Sequence, residues 1–194
     1  MKKTLYPIFI FIVSAITAFA QEAVEVKKVD FNKTDDDWIQ MEIELNCGDN
    51  KLPDARDSRF VEEIKVKVYL AYESKYAETF DYYSSELEIV IMEKGENYNV
   101  YFYLPGLIVE RDQIQPQEPK YYYVEVSVKG ALQPPRKGSK AFSPNIPTLP
   151  ALTTFTSNAA GQNEHLLMPV YFCPAEYLGR ISDMPTFLRR DVRK

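Results

Sequence analysis

The sequence is poor in the residues that most metal and nucleophile chemistry requires. Its 194 residues include one histidine, two cysteines and seven glycines. So few histidines and cysteines exclude most zinc sites, iron–sulfur clusters and haem attachment motifs. The glycines are scattered and form no phosphate-binding loop, dinucleotide fingerprint or Gly-x-Ser-x-Gly nucleophile elbow. We therefore expect a protein with no catalytic residues, no metal site and no cofactor.

Basic residues are outnumbered by acidic ones. The chain has 23 lysines and arginines against 28 aspartates and glutamates, a formal net charge of −5. This balance argues against a nucleic-acid partner, because the phosphate backbone calls for a basic surface. Apolar residues make up 45% of the chain and charged residues 26%, which is typical of a folded protein. The length suits one domain, with or without a tail.

Long hydrophobic runs are absent after the first twenty residues. A basic pair precedes the apolar segment 5–16, and Ala18-Phe19-Ala20 matches a signal-peptidase site. The alternative is a membrane anchor, but a spanning helix needs about 20 apolar residues and the chain turns polar at Gln21. We expect residues 1–20 to be a cleaved signal peptide. The mature chain would then be exported to the periplasm, outer surface or medium, without a membrane span.

The two cysteines, Cys47 and Cys173, leave two possibilities open. An oxidising compartment favours disulfides, and a bridge closing so long a loop stabilises by about 4–5 kcal/mol in the chain-entropy model. Two free thiols are the alternative, because sequence does not show whether the two Cα atoms lie within bridging distance.

Apolar residues alternate with polar ones along most of the chain. The clearest case runs from Ile39 to Cys47, where every second residue is apolar, as in a strand with one buried face. The residues between Val24 and Phe31 fall out of phase by one, which indicates a bulge or a short bend. Segment 86–92 is apolar on both sides, and a weaker candidate strand covers 79–83. Further alternating segments lie at 64–72, 98–104 and 122–128.

These strands predict an all-β fold. One-sided antiparallel strands joined by polar loops must bury their apolar faces against a second sheet. About seven strands within residues 21–130 fit an immunoglobulin-like antiparallel β-sandwich, with an OB-like or lipocalin-like barrel as the alternative. The single tryptophan, Trp38, precedes both cysteines, so the antibody arrangement of Cys, Trp and Cys is absent.

The remaining residues differ from this alternating part. Segment 131–150 contains five prolines and is expected to be a linker or a long surface loop. Segment 151–194 is a C-terminal extension that we expect to be partly docked, with one more strand at 169–173. Its basic end, 187–194, is either a solvated tail or a contact for an acidic partner.

Candidate catalytic side chains are few, and each has a structural explanation. His165 has no nucleophile motif beside it and is expected at the surface. The acidic pairs Glu42/Glu44 and Glu86/Glu88 lie on polar strand faces, where lysines can pair with them across strands. A hydrolase would instead need two carboxylates about 5–10 Å apart in a cleft. Asp35–Asp37 could offer oxygen ligands to calcium, but three adjacent aspartates cannot all face one ion.

Tyrosine is the one enriched residue type, and most of the 14 tyrosines lie between Tyr69 and Tyr123. Tyrosine is a good strand former, which accounts for the enrichment without any binding role. Alternatively, some of these rings share an exposed face that stacks on sugars or anchors a protein partner. The candidate binding face comprises Tyr98, Tyr101, Tyr103, Tyr121 and Tyr123.

Two aromatic segments carry a family resemblance. Asn97-Tyr98-Asn99-Val100-Tyr101-Phe102-Tyr103-Leu104-Pro105 and Tyr121-Tyr122-Tyr123-Val124-Glu125-Val126, with the signal peptide and the alternating core, resemble exported pilus-like proteins of verrucomicrobial bacteria. The resemblance covers about residues 23–173. It implies an immunoglobulin-like fold related to archaeal pilins and a role at the cell surface or with type IV pili. Pilins keep a long hydrophobic N-terminal helix, whereas the apolar segment here ends at a cleavage site.

Together these observations predict a non-enzymatic exported interaction protein of the envelope or cell surface. Its partner would be a protein, either a second copy or a pilus component, and the segment Gln21–Phe31 is the strand expected to exchange or add. The alternative is a carbohydrate-binding module with a tyrosine platform.

Overall fold

The computed structural model describes residues 23–76, 78–133, 135 and 139–188. The expected signal peptide and the residues after Leu188 lie outside this range. Within it, the strands are β1 (Val24–Lys33), β2 (Ile39–Cys47), β3 (Phe60–Glu73), β4 (Phe80–Glu93), β5 (Asn97–Leu104), β6 (Tyr121–Val128), β7 (Ala131–Gln133), β8 (Met168–Pro169) and β9 (Thr186–Leu188). The helices are α1 (Gly106–Arg111) and α2 (Leu149–Ala159), with 3₁₀ turns at Asp35–Asp37, Val170–Phe172 and Ala175–Tyr177.

The strands form two antiparallel sheets that face each other. Sheet A has the order β1-β2-β5-β8, and sheet B has the order β7-β6-β3-β4-β9. The pairing of β1-β2-β5 opposite β7-β6-β3 corresponds to the A-B-E and G-F-C order of immunoglobulin-like sandwiches. The predicted all-β sandwich is therefore confirmed. None of the helices in the described residues is long and apolar enough to cross a membrane.

Two predicted strands differ in the structure. The candidates at 79–83 and 86–92 belong to one strand of 14 residues, β4. The strand expected at 169–173 is a two-residue strand, β8, followed by a 3₁₀ turn. Proline explains this second difference, because Pro169 and Pro174 each remove a backbone donor and limit the ladder.

The core lies between the sheets and follows the period-two pattern. The predicted inner face of β2 is buried along its whole length, with no residue from Ile39 to Cys47 on that face more than 3% exposed. The matching face of β5 carries Val100, Phe102 and Leu104, which pair with β2 residues directly opposite. The predicted bulge is also present, as a register shift between Val26 and Lys28.

A change of phase in sheet B explains why segment 86–92 is apolar on both sides. In β3, Val61 and Ile64 are both buried although they are three residues apart, and Glu63 between them has a positive φ of 55°. In β4, opposite them, Ile89 and Met92 are both buried. The inward face thus moves by one residue in both strands, which leaves Val90 outside the core at 42% exposure.

The turn before β2 packs against the start of α1. Trp38 O accepts a hydrogen bond from Thr34 N–H at 2.8 Å and closes the turn, in which Asp36 and Asp37 both have positive φ. A Cβ at Gly106 would lie 2.0 Å from the carbonyl oxygen of Asp36. Only glycine allows this approach of the α1 segment to the turn.

We predict that Gly106→Ala destabilises the fold by about 2 kcal/mol or more, because the added methyl group overpacks against backbone that cannot move independently. Chemical denaturation measures the change. Gly95→Ala is the control. Residue 95 has a φ of +85° and open space around it, so the substitution should lower the stability by about 1 kcal/mol, through the left-handed conformation alone. Equal effects of the two substitutions would contradict the packing explanation.

Candidate functional site

The five candidate tyrosines do not form one face. Tyr98 lies on the inner face of sheet A, opposite Leu45. Tyr101 and Tyr103 lie on the outer face of sheet A and are 1% and 0% exposed. Tyr121 and Tyr123 lie on the outer face of sheet B, the first half-buried and the second buried. The predicted exposed platform is therefore wrong, because the rings are divided among three faces and are covered.

The outer face of sheet A is covered by residues 170–183, here called the strap. Tyr103 Oη donates to Leu178 O at 2.7 Å, and the buried Gln40 amide donates to the same carbonyl at 2.8 Å and to Tyr103 Oη at 3.0 Å. Tyr101 Oη accepts from Ser182 N–H at 3.1 Å. Strap backbone thus provides the partners that buried hydroxyl and amide groups require.

Aromatic stacking and an edge contact hold the strap at two more points. Trp38 stacks on Tyr177, with ring centroids 4.5 Å apart and planes 14° apart. At the other end, Asn99 N–H donates to Asp183 O at 3.0 Å, which ties the strap to the edge of β5. The chain then enters β9 on the edge of the opposite sheet.

The outer face of sheet B is covered by α2. Phe155 of this helix lies among Tyr69, Tyr82 and Tyr121, with centroid distances of 6.1 to 6.5 Å. Tyr69 also stacks on Tyr123 at 6.0 Å. Ala159, on the same side of α2, is fully buried. The helix therefore packs on the aromatic cluster that includes Tyr121 and Tyr123, the two members of the candidate binding face on sheet B.

Burial also affects the acidity of these phenols. It raises the pKa of Tyr103 to about 12, and it raises the pKa of Tyr69 to about 12 with a smaller contribution from Glu125. Both phenols therefore stay protonated near neutral pH, and Tyr103 keeps its hydrogen bond to Leu178 O.

The two cysteines are free thiols in the structure. Cys47 is at the end of β2 and faces the core between the sheets, whereas Cys173 packs with Tyr103 and Val170 outside sheet A. Gln40, which pairs with Tyr103, is seven residues from Cys47, or about 23 Å along a strand. A disulfide, which the sequence analysis left as an alternative, would need both cysteines on the same side of sheet A.

The clustered carboxylates are used in cross-strand contacts. Lys65 Nζ lies 3.0 Å from Glu86 and 3.7 Å from Glu88, and Tyr101 Oη donates to Glu42 at 3.3 Å. Among the described residues, no group of three or more histidine, cysteine or acidic side chains is arranged to hold a metal ion. Asp37 of the acidic turn pairs instead with Lys33 at 2.5 Å.

A groove that sequence reasoning missed runs beside β4. This β4 groove has a volume of about 630 Å³. One wall is the segment Ser84–Glu88, and the other is formed mainly by His165, Met168 and Phe172. The walls come from parts of the chain about eighty residues apart, so no local motif marks it. The signal that the sequence did offer is the acidic character of the lining residues, because Glu86, Glu88 and Glu164 all line the groove.

The four sheet edges differ greatly in length. Sheet A ends in β1, with ten residues, and β8, with two; sheet B ends in β7 and β9, with three each. Segment 141–143 extends the β7 edge through a bridge between Phe142 and Tyr123. Of the four terminal strands in the described residues, β1 is the longest.

The chain is thus a two-sheet antiparallel β-sandwich protein whose own C-terminal segments cover both outer faces. No protein-family model and no curated protein matches it. Among solved structures, it is similar to the crystal structure of a protein from Akkermansia muciniphila, with a TM-score of 0.58 and 18% sequence identity. The similarity covers 87% of this chain and 93% of the other. At this identity the likeness shows a shared fold.

We predict that stability falls between pH 10 and pH 12 as unfolded tyrosines ionise and the buried ones do not. Tyr103→Phe removes one such phenol, so the variant escapes this phenol's share of the loss. The difference in free energy of unfolding between the wild type and Tyr103→Phe should therefore shrink by about 1 kcal/mol from pH 8 to pH 11. Urea denaturation at the two pH values measures this. Leu104→Ala, at a fully buried side chain that carries no titratable group, is the control, and its loss of stability should be the same at the two pH values. A pH-independent gap for Tyr103→Phe would contradict the burial argument.

A second prediction concerns the thiols. Alkylation in denaturant without reductant should label both cysteines, whereas under native conditions Cys47, 1% exposed, should not react. Burial raises the pKa of each thiol to about 11, which also slows native labelling. Mass spectrometry counts the labels. An unlabelled, unreduced chain would show a disulfide and a different arrangement of the strap.

Proposed function

We propose that this chain is a non-enzymatic interaction protein of an exported, pilus-associated assembly at the cell surface. It binds a protein partner, a second copy or a pilus component, by adding a strand to the edge of β1. The observation that carries this proposal is the ten-residue edge strand β1, which pairs with β2 on one side and with no strand of the described residues on the other. The fold is shared with a protein of a verrucomicrobial bacterium, which agrees with the family that the aromatic segments resemble.

The hydrogen bonds of β2 show which β1 groups point outward. Cys47 N–H donates to Glu96 O at 3.3 Å, and Cys47 O accepts from Gly95 N–H at 2.8 Å. Cys47 and the other odd-numbered residues of β2 therefore bond toward β5, and the even-numbered residues bond toward β1.

The same alternation continues into β1. Its residues Lys28 and Asp30 pair with even-numbered β2 residues and bond to them. Val29 and Phe31 therefore direct their backbone N–H and C=O groups to the free edge. Such groups form the row of donors and acceptors to which another strand can pair.

The contacts of the polar and aromatic side chains support a role without catalysis. The aromatic faces are covered by the strap and α2, and Glu86 pairs with Lys65. The sugar-binding alternative requires coplanar exposed tyrosines, and no observation favours it.

The burial and pairing of β1 argue against the exchange of segment Gln21–Phe31 that the sequence suggested. Val24 and Val26 are fully buried and pair with β2, so removing this strand would open the core. Strand addition at the outer edge of β1 needs no such removal, and we propose addition in place of exchange.

We predict that Val29→Pro abolishes association while leaving the fold intact, because proline removes an outward N–H without breaking a bond to β2. Light scattering of the chain from Gln21 onward measures self-association, and capture from an envelope fraction measures partner binding. Asp30→Pro is the matched control: it breaks a bond to β2 and should cost about 3 kcal/mol of stability. A folded Val29→Pro variant that associates like the wild type would refute the proposal.

A further inference from the structure

The charges around β1 have opposite signs on the two sides of its middle. Two lysines, Lys27 and Lys28, lie in the first half of the strand, and three aspartates, Asp35–Asp37, follow its end. Phe31 lies midway, four residues after Lys27 and four before Asp35. If β1 pairs antiparallel with a second copy of itself at Phe31, the lysines of each copy lie beside the aspartates of the other.

The free backbone groups of β1 have the phase that this pairing needs. Phe31 and Lys33 pair with Met41 and Ile39, which are odd-numbered residues of β2, so their N–H and C=O groups point to the free edge, as those of Val29 do. In a pairing centred on Phe31, Val29 lies opposite Lys33 of the second copy, and Phe31 lies opposite its own counterpart. Opposite residues of this phase exchange two backbone hydrogen bonds.

The bulge in β1 selects Phe31 as the centre over Val29. The register shift between Val26 and Lys28 interrupts the ladder of this strand. A pairing centred on Val29 would bring that irregular stretch of each copy opposite Phe31 of the other. A pairing centred on Phe31 instead uses the regular residues Val29–Lys33 of both copies.

The outer face of β1 offers side-chain partners in the same register. Asp30 is bound by Lys28 at 2.5 Å, but it also lies directly opposite Glu42 of β2, which is an unfavourable like-charge pair. Asn32 of the second copy would lie beside Asp30 on its free side. The amide of Asn32 has two N–H donors, of which one is given to Gln40 at 3.4 Å, so the other is available to this carboxylate.

Two apolar side chains on the inner face of β1 are only half-buried. They are Val29 and Phe31, and Phe31 packs on Tyr122 with ring centroids 5.6 Å apart. In the second copy, Phe31 would lie directly opposite its counterpart, and the aliphatic stem of Lys33 would lie opposite Val29. The second strand would therefore cover apolar surface that one copy leaves partly exposed.

The charged groups at both ends of this segment are accessible. Lys27 and Lys28 each bind an acidic residue two positions away on the same strand, and their side chains are 43% and 62% exposed. Exposed ion pairs of this kind contribute little to stability, so the lysines are available to another acidic group. In the turn, Asp37 pairs with Lys33, whereas Asp35 forms no salt bridge with any residue that the structure describes.

We propose that the strand added to β1 is the β1 of a second copy, paired antiparallel about a two-fold axis at Phe31. Lys27 and Lys28 of each copy then lie beside the Asp35–Asp37 turn of the other. This inference rests on the proposed function and deepens it by naming the partner and the register. The assembly is a closed dimer, because the same residues serve both copies.

Charge reversal tests the partner. Lys27→Glu and Asp35→Lys should each weaken the dimer about ten-fold or more in sedimentation velocity at low salt, because each places like charges together at two symmetric sites. An equimolar mixture of the two variants should associate nearly as tightly as the wild type, since opposite charges then meet at both sites.

The control is Lys65→Glu, which changes a lysine of similar exposure, 41%, on the outer face of sheet B and should leave association unchanged. A mixture of Lys27→Glu and Asp35→Lys chains that associates no better than either variant alone would overturn the register. A wild-type chain that stays monomeric at millimolar concentration would overturn the inference as a whole.

Disulfide trapping tests the register independently of affinity. Opposite residues in a non-hydrogen-bonded antiparallel pair have Cα atoms about 4.5 Å apart, within bridging range. In a Cys173→Ser background, oxidising a mixture of Asp30→Cys and Asn32→Cys chains should give a covalent dimer that neither chain gives alone. The mixture of Lys28→Cys and Asp30→Cys is the matched control, and a covalent dimer from it instead would assign the centre to Val29 and overturn the register.

The Val29→Pro variant distinguishes the failure of this inference from the failure of the proposed function. If the wild type is monomeric and Val29→Pro abolishes capture of an envelope protein, the second copy is wrong and strand addition at β1 stands. If the wild type dimerises and Val29→Pro dimerises equally well, both proposals are wrong.

Discussion

The cover over the outer aromatic faces is the constraint on which the rest of this structure depends. An antiparallel sandwich can leave the outer face of each sheet in water. Here both outer faces carry buried tyrosines, and each needs a second layer: the strap on sheet A and α2 on sheet B. Deleting a buried aromatic side chain typically costs about 3–5 kcal/mol, so these layers are part of the folding unit. Segments 149–159 and 170–183 are therefore required by the sandwich.

Because both outer faces are covered, the sheet edges are the parts of the sandwich that remain available to a partner. A face filled by Phe155 or by the strap backbone is not available to a sugar or a partner, whereas an edge strand still offers backbone donors and acceptors. The terminal strands at three edges have two or three residues, whereas β1 has ten. Lysines at positions 27 and 28 and the bulge beside them limit unspecific pairing there, so a partner must match this irregular edge.

Polar groups decide how firmly the covers are attached. The Gln40 amide and Tyr103 hydroxyl converge on one strap carbonyl, that of Leu178, and such buried hydrogen bonds are costly to break. The Phe155 contacts on the other side are apolar and non-directional. Hydrogen bonds therefore fix the register of the strap on sheet A, while buried apolar area and complementary shape hold α2 on sheet B. The β4 groove lies between β4 and the segment 164–172 that leads into the strap.

Sequence alone determined the six longer strands β1 to β6, the inner face of β2 and the irregularity in β1, because a period of two is a local property that burial against any second sheet would satisfy. It did not determine the phase change at Glu63, which depends on β3 and β4 shifting together. Nor did it show what covers Tyr101 or Tyr121, because an outward aromatic is equally consistent with an exposed platform and with a packed one. Only the tertiary structure decided between them, by bringing residues 149–183 back onto both sheets. Contacts between segments so distant in the chain leave no periodic trace in either one.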